Sequence, residues 1–326
     1  MISKVLTIQI VILSRGRPKY LNDTIRSVLS QKLLTTRIEI IISDNSDNSD
    51  NSDNSKKSEV KRIIDQYYPD NKLKYIKRNK SMLFSEHFQL VVSECKEKYI
   101  VVFHDDDIMH PNYIETMSLF IQREGVAAVG CNSYIFSNDI VEAKPKPHNF
   151  NFPKTFNSKK DFLRQLLPGG AWIAPFPGYM YKTALLKMNK ISNIPAPSIY
   201  SDIDPLMLNA LLDYGSIIWV PDFLMYYRLH NSNLSNSLHM PVRIDVLNCM
   251  ARNGLSKDSV PVIMLRCGYW LKWLLMQNIK NIFLWKGRVV FKYLFFKSFF
   301  LVFKTDFWKA LFNKHTVSFF FKINKE

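Results

Sequence analysis

Short, nearly unbroken apolar runs alternate with longer amphipathic ones through the first part of the chain. Thr7 to Leu13, Ile38 to Ser43, Leu73 to Lys77, Tyr99 to Phe103 and Val126 to Phe136 read as strands. The continuous apolar character of Tyr99 to Phe103 marks a strand covered on both faces. Between the first two strands, Tyr20 to Gln31 carries Leu21, Ile25, Val28 and Leu29 at helical spacing, with Asn22 and Asp23 early in it. Val60 to Tyr68, closed by Pro69, reads as a helix, as do Phe84 to Cys95, with Phe88, Val91 and Val92 facing inward, and Pro111 to Gln122. Strand, helix, strand units of this length imply parallel pairing and right-handed crossovers. The expectation through about residue 135 is an α/β fold with a mainly parallel sheet flanked by helices.

The pattern then changes. Ser43 to Ser55 contains Asp-Asn-Ser repeated four times, which cannot form a core and reads as a solvated, mobile loop. A calcium loop is the sharper reading, but the Gly and terminal Glu of an EF-hand are missing. The second half is richer in Pro. Pro168 to Trp172 and Pro175 to Tyr179 read as loops able to line a pocket, Pro205 to Leu212 as an apolar helix, and Ile217 to Pro221 as a strand. An aromatic run, Tyr226-Tyr227, then leads into Arg228 and His230.

Polar chemistry gathers where the strands stop. Tyr99 to Phe103 runs into His104-Asp105-Asp106-Asp107, three adjacent carboxylates that repel one another unless a cation sits among them. A solvated acidic turn capping the next helix from Asp107 or Asn112 is the competing reading on spacing alone. Ser14 to Arg17, Asp44, Asn79 and Asp105 to Asp107 all follow strands. In open α/β sheets ligands bind beyond the carboxyl ends of the strands, so these residues should converge, and this favours the cation. A hard divalent ion held by one or two carboxylates completes its shell with water and substrate phosphates, which implies a phosphate-bearing ligand. Asp202, before Pro205, reads taken alone as a helix cap.

At 326 residues and 47% hydrophobic the chain supports a substantial core. Cys95, Cys131, Cys249 and Cys267 form no Cys-x-x-Cys pair, which argues against a zinc site or a disulfide framework and fits a reducing compartment. Ile8 to Leu13 is too short for a signal-peptide core, so a cytoplasmic location is expected.

Taken together, the ordered blocks from roughly Thr7 to Ser235 resemble a family 2 glycosyltransferase with the GT-A fold. Ser14-Arg15-Gly16-Arg17-Pro18 resembles the turn after that family's first strand, Asp44 its base-contacting Asp, and Arg78-Asn79 the block before its acidic motif. His104 to Pro111 resembles its DxD region, Ser201-Asp202 its catalytic acidic pair, and Tyr227 to Asn233 its closing Tyr-Arg-x-His block. The resemblance implies donor contacts from Ser14, Arg15, Arg17, Asp44, Arg78, Asn79, Asp105 and Arg228, a metal (Mn2+ or Mg2+) on Asp106, Asp107 and His230, and Asp202 as base. The sequence departs from the family pattern in three places. His104 stands where many members have the first Asp, Lys80-Ser81-Met82 replaces a common Gly after Asn79, and Ser201 replaces an acid. Counting back from Pro111 makes Asp106 the metal ligand, whereas plain DxD spacing selects Asp105 and Asp107. The implied activity is inverting transfer of a sugar from a nucleotide-sugar donor, UDP-linked, to a hydroxyl.

The net charge of +16 is concentrated late: from Pro261 onward twelve Lys and Arg face only Asp306 and Glu326. Segments such as Tyr269 to Met276 and Tyr293 to Phe303 mix aromatics with Lys, and no uncharged apolar run reaches the ~18–20 residues of a spanning helix. They read as helices in a membrane interface, with a packed helical subdomain as the plainer reading. Nucleic-acid binding leaves the bulky aliphatics unexplained. The expected organisation is a GT-A domain over residues 1–240, divided near 135 into nucleotide and acceptor halves, and a helical basic-aromatic region over 241–326. This points to a peripheral enzyme on the inner face of the plasma membrane, acting on a lipid-linked saccharide in bacterial surface-polysaccharide synthesis. The rival readings are a sugar nucleotidyltransferase, whose Gly-rich, Lys-containing loop is not evident, and a non-catalytic membrane-associated assembly protein with a degenerate site.

Overall fold

A computed structural model describes residues 5–46, 54–67, 73–146, 150–166, 176–188 and 203–230. Its elements in chain order are β1 (Leu6–Ser14), α1 (Pro18–Leu29), β2 (Thr36–Asp44), α2 (Asn54–Asp65), β3 (Lys74–Lys77), α3 (Phe84–Glu94) and β4 (Tyr99–His104). There follow β5 (Ile108–Met109), α4 (Tyr113–Ile121), β6 (Val126–Phe136), β7 (Lys144–Pro145), β8 (Lys154–Phe156), α5 (Lys159–Leu166), β9 (Tyr179–Lys182), α6 (Thr183–Met188), α7 (Ile203–Leu211) and β10 (Ser216–Arg228).

One mixed sheet carries the fold, in the order β3-β2-β1-β4-β9-β6-β10-β5, with β7 on β6 and β8 on β10. Its long pairings are parallel, β1 with β2 and β4, β2 with β3, and β6 with β10. The antiparallel pairings are short and belong to β5, β7, β8 and β9. The side-chain period of two explains why the central strands lack a polar face. Ile8, Ile10 and Ile12 of β1 and Tyr99, Val101 and Phe103 of β4 meet one apolar cluster with α1, α2 and α4. Val11, Leu13, Ile100 and Val102 meet the other, with α3, α5, α6 and α7.

Several expectations change. Tyr179, read as a loop residue, begins β9 and is fully buried, because β9 fills the gap between β4 and β6. Tyr226, Tyr227 and Arg228 lie inside a strand that runs far past Pro221, with register shifts around that proline. The repeat tract begins as strand and ends as helix: Ser43 and Asp44 close β2, and Asn54 opens α2. Neither Asp107 nor Asn112 caps α4; Asn112 sits at its N-cap without a side-chain bond. Cys95 and Cys131 are buried free thiols. Among the described residues no helix is long and apolar enough to cross a membrane. The basic-aromatic region, Asp202, and the Pro168 to Trp172 segment lie outside the described residues.

Candidate active site

Strand register brings the polar ends together. Ser14 pairs with Asp44, Asp44 with Lys77, and Leu13 with His104, so four parallel strands finish along one edge. The chain steps outward from β1 to β2 to β3, then returns to place β4 on the other side of β1. This reversal makes the β1/β4 boundary a topological switch point, where a crevice opens. The turn after β1 and the acidic turn after β4 face each other there. Gly16, in the turn after β1, has a φ of 74°, and a Cβ on it would lie 3.2 Å from that of Ser46, just past β2.

The acidic turn is held from three sides. Arg17 pairs through its guanidinium with both Asp105 and Asp106, and the Arg15 amide donates to Asp105 Oδ2 at 3.0 Å. Arg228, at the end of β10, donates its amide to Asp107 Oδ1 (2.9 Å) and its Nε to the Asp106 carbonyl (2.8 Å). The same guanidinium reaches Asp23 at 3.1 Å and lies over the rings of Tyr20 and Phe136. His230 Nε2 lies 2.8 Å from Asp106 Oδ2, with its ring stacked on Tyr20. From below, α1 supplies a buried polar stripe. Thr24 Oγ1 donates to the Asp107 carbonyl (2.8 Å), Ser27 Oγ accepts from the Met109 amide (3.0 Å), and Gln31 Nε2 donates to the His110 carbonyl (2.8 Å).

These supports leave the carboxylates incompletely satisfied. Asp105, Asp106 and Asp107 are all at most 4% exposed. Burial holds Asp105 above the usual carboxylate range, and burial together with the neighbouring Asp106 charge lifts Asp107 further. Burial acts on Asp106 too, but His104, Arg17 and His230 outweigh it and keep that group below its ordinary value. Asp106 Oδ1 and Asp107 Oδ2 are buried without a hydrogen bond, an expensive condition unless a cation meets them. His104, Asp106 and Asp107 each present a ligand atom within 4.8 Å of the others. Two buried carboxylates and an imidazole suit a divalent metal, so the residues present fit the cation expected from the sequence.

The family model for glycosyl transferase family 2 matches residues 9–186, more than half of the chain. The chain belongs to that family. Solved structures with this fold include TarS 1–349 from S. aureus in complex with UDP-GlcNAc, 13% identical, TM-score 0.60, covering 94% of this chain and 80% of that one. The mannosyltransferase PcManGT from Pyrobaculum calidifontis in complex with GDP-Man and Mn2+ is 12% identical, TM-score 0.54, with 99% and 89% covered. GalNAc-T7 with UDP, GalNAc and Mn2+ is 12% identical, TM-score 0.56, with 92% and 58% covered. At these identities the likeness is one of fold. Among curated proteins none matches the chain.

In this family 2 glycosyltransferase the other expected donor residues sit in distinct settings. Ser14 is buried at the end of β1, and its carbonyl accepts from the Asn45 amide at 2.8 Å. The Arg15 side chain and Asn79 are exposed. Asp44 is 3% exposed, with Oδ1 accepting from the Ser46 amide and hydroxyl and Oδ2 from Tyr75 at 2.7 Å, and Lys77 adds an ion pair at 3.3 Å. Burial alone would raise its pKa, and these bonds with the Lys77 charge bring it below the ordinary value instead. Arg78 donates to Ser43 Oγ (2.8 Å) and forks onto Glu94 at 2.8 and 2.6 Å, which ties β2 and β3 to α3.

Sequence reading missed three supports. The first is the stripe Thr24, Ser27 and Gln31, whose signal was polar residues at helical spacing beside an apolar face. The second is His104 as a member of the cation cluster rather than a mere departure from the motif. The third is Lys146, 5% exposed, its pKa lowered to about 7 by burial against the attraction of Asp107. One lysine in a basic hairpin carries no mark of this in the sequence.

Proposed function

We propose that this chain is a metal-dependent, inverting glycosyltransferase that moves a sugar from a UDP-linked donor to a hydroxyl of a lipid-linked saccharide. The supporting observation is the buried acidic turn at the β1/β4 switch point, where Asp106 Oδ1 and Asp107 Oδ2 have neither a hydrogen bond nor an arginine against them. A divalent cation, when bound, would supply Lewis-acid stabilisation of the charge that builds on the leaving nucleotide. In this reading Asp106 and Asp107 would hold that ion, and Arg17 and Arg228 keep the turn in shape. Asp44 and the exposed Asn79 border the nucleotide side. Asp202 takes the proton from the acceptor hydroxyl as it attacks the anomeric carbon, which inverts the centre. A UDP donor accords with the UDP-GlcNAc bound by TarS and the UDP bound by GalNAc-T7. A lipid-linked acceptor and attachment to an anionic membrane surface rest on the basic, aromatic residues after 261.

The test is calorimetric titration of nucleoside diphosphates with and without Mn2+, on wild type and Asp106→Ala. Metal-dependent binding of UDP that disappears in the variant supports the reading. A folded wild-type protein that binds no nucleotide under any condition overturns it. Pelleting with anionic vesicles tests the membrane part, and full recovery in the supernatant at low salt removes it.

A further inference from the structure

We propose that His104 is a direct metal ligand in this chain, and that its nitrogen makes the site favour Mn2+ and later transition-metal ions over Mg2+ and Ca2+. The inference rests on the reading of the acidic turn as a divalent-cation site. It adds which atoms bind and which ion they choose.

The atoms are sorted by what already holds them. Asp105 Oδ2 accepts from the Arg15 amide, and its Oδ1, though without a hydrogen bond, is neutralised by the Arg17 guanidinium in an ion pair, so Asp105 is set aside as a ligand. Asp106 offers Oδ2 to Arg17 and His230, which leaves the buried Oδ1 without a hydrogen bond. Asp107 offers Oδ1 to the Arg228 amide, which leaves the buried Oδ2 likewise. Each ligating carboxylate therefore has one oxygen fixed by the protein and one without a hydrogen bond, the arrangement by which outer contacts orient metal ligands. His104 Nδ1 lies 3.7 Å from Asp107 Oδ2, close to the separation of about 3 Å between neighbouring ligands that each sit ~2.1 Å from one ion. His230 occupies the outer position instead: its Nε2 lies against the oxygen of Asp106 that faces Arg17, and its ring rests on Tyr20. Plain DxD spacing would have chosen Asp105 and Asp107; the geometry chooses His104, Asp106 and Asp107.

An all-oxygen set suits Mg2+ and Ca2+, whereas imidazole raises affinity along the series from Mn2+ upward. Replacing an acid by His104 therefore exchanges a hard anionic ligand for a neutral nitrogen donor. It lowers the charge of the set and shifts its preference.

The experiment uses the full chain and the metal alone. Mn2+ and Mg2+ binding are measured on wild type, His104→Ala, His104→Gln, His104→Asp, His230→Ala and Asp106→Asn. Pulsed electron paramagnetic resonance then reads nitrogen coupling to bound Mn2+, with 15N-histidine as a check on the wild type that needs no variant. The expected results are histidine nitrogen coupling in wild type and in His230→Ala, and Mn2+ affinity about tenfold or more weaker in His104→Ala and His104→Gln. Mg2+ affinity should change less in those variants, and His104→Asp should narrow the Mn2+ to Mg2+ ratio. Mn2+ bound through Asp106 with no histidine coupling, or coupling lost only in His230→Ala, overturns the His104 assignment and leaves the cation site standing. Wild type that binds no Mn2+ at all overturns the cation reading and this inference with it.

Discussion

Two strand ends carry buried acids, and they are built differently. At the end of β2, Asp44 meets two donors from Ser46, one from Tyr75 and the charge of Lys77, all within about 33 residues of itself in the chain. At the end of β4, three carboxylates share Arg17, Arg228 and His230, and still leave Asp106 Oδ1 and Asp107 Oδ2 without a hydrogen bond. All four acids are almost fully buried, so exposure does not distinguish them. Satisfaction does. A buried carboxylate whose lone pairs are met by its own chain behaves as a fixed wall, while one left short keeps a place for a cation. The neighbouring Arg78, Ser43, His87 and Glu94 belong to the first kind: Ser43 Oγ accepts from Arg78 Nε and shares a hydrogen bond of 2.6 Å with His87 Nε2.

The contrast is tested most severely by Asp106→Asn. It should cost about 10³-fold or more in sugar transfer while the fold persists, and Mn2+ should no longer raise the melting temperature. Transfer within tenfold of wild type would make the acidic turn a structural feature. Asp202→Asn separates chemistry from binding. It should lose about 10²-fold or more in transfer yet keep metal-dependent nucleotide affinity, which calorimetry reads beside the rate assay.

The satisfied side makes a pH prediction. Burial first, then Arg78, lowers His87 to about 4 against the attraction of Asp44 and Glu94. Its folded value lies below the unfolded one of about 6.5, so its contribution is complete above that pH and is lost as pH falls toward 4. The loss is at most about 3 kcal/mol, and since His104 is shifted in the same direction, the readout is the flatter denaturation midpoint against pH of His87→Gln relative to wild type. The smallest effect compares one substitution at both ends. Asp44→Asn brings an amide donor against Ser46, Tyr75 or Lys77 and should cost about 2 kcal/mol in urea unfolding. Asp107→Asn keeps an oxygen for the Arg228 amide and removes a buried charge, so metal-free stability should move by less than about 1 kcal/mol or rise. Equal losses would erase the distinction.

Much of this was legible along the chain because it is local. Period-two and period-3.6 patterning located β1, α1, β2, α3, β4 and β6 within a few residues, since those patterns are imposed by burial on one face or two. The short strands β5, β7 and β8 were not legible: two or three residues carry no period, and they exist only because β6 and β10 offer edges to pair with. The candidate site divided in the same way. Asp44, Arg17 and the acidic triplet stood out as polar residues following apolar strands. The fork of Arg78 onto Glu94 was not legible, because the partner sixteen residues away lies on a helix that the strand meets only after folding.

The sequence by itself therefore determined the α/β alternation, the acidic turn at a strand end, and membership of glycosyl transferase family 2. The tertiary structure decided which carboxylate oxygens meet donors and which remain, and that His104 and His230 both come to the carboxylates of the acidic turn. The reason lies in chain separation. Asp107 is oriented by an amide 121 positions later, Asp106 by a histidine 124 positions later, and Asp105 by an amide 90 positions earlier. Residue spacing records none of those distances, and only the closed sheet brings them within a hydrogen bond.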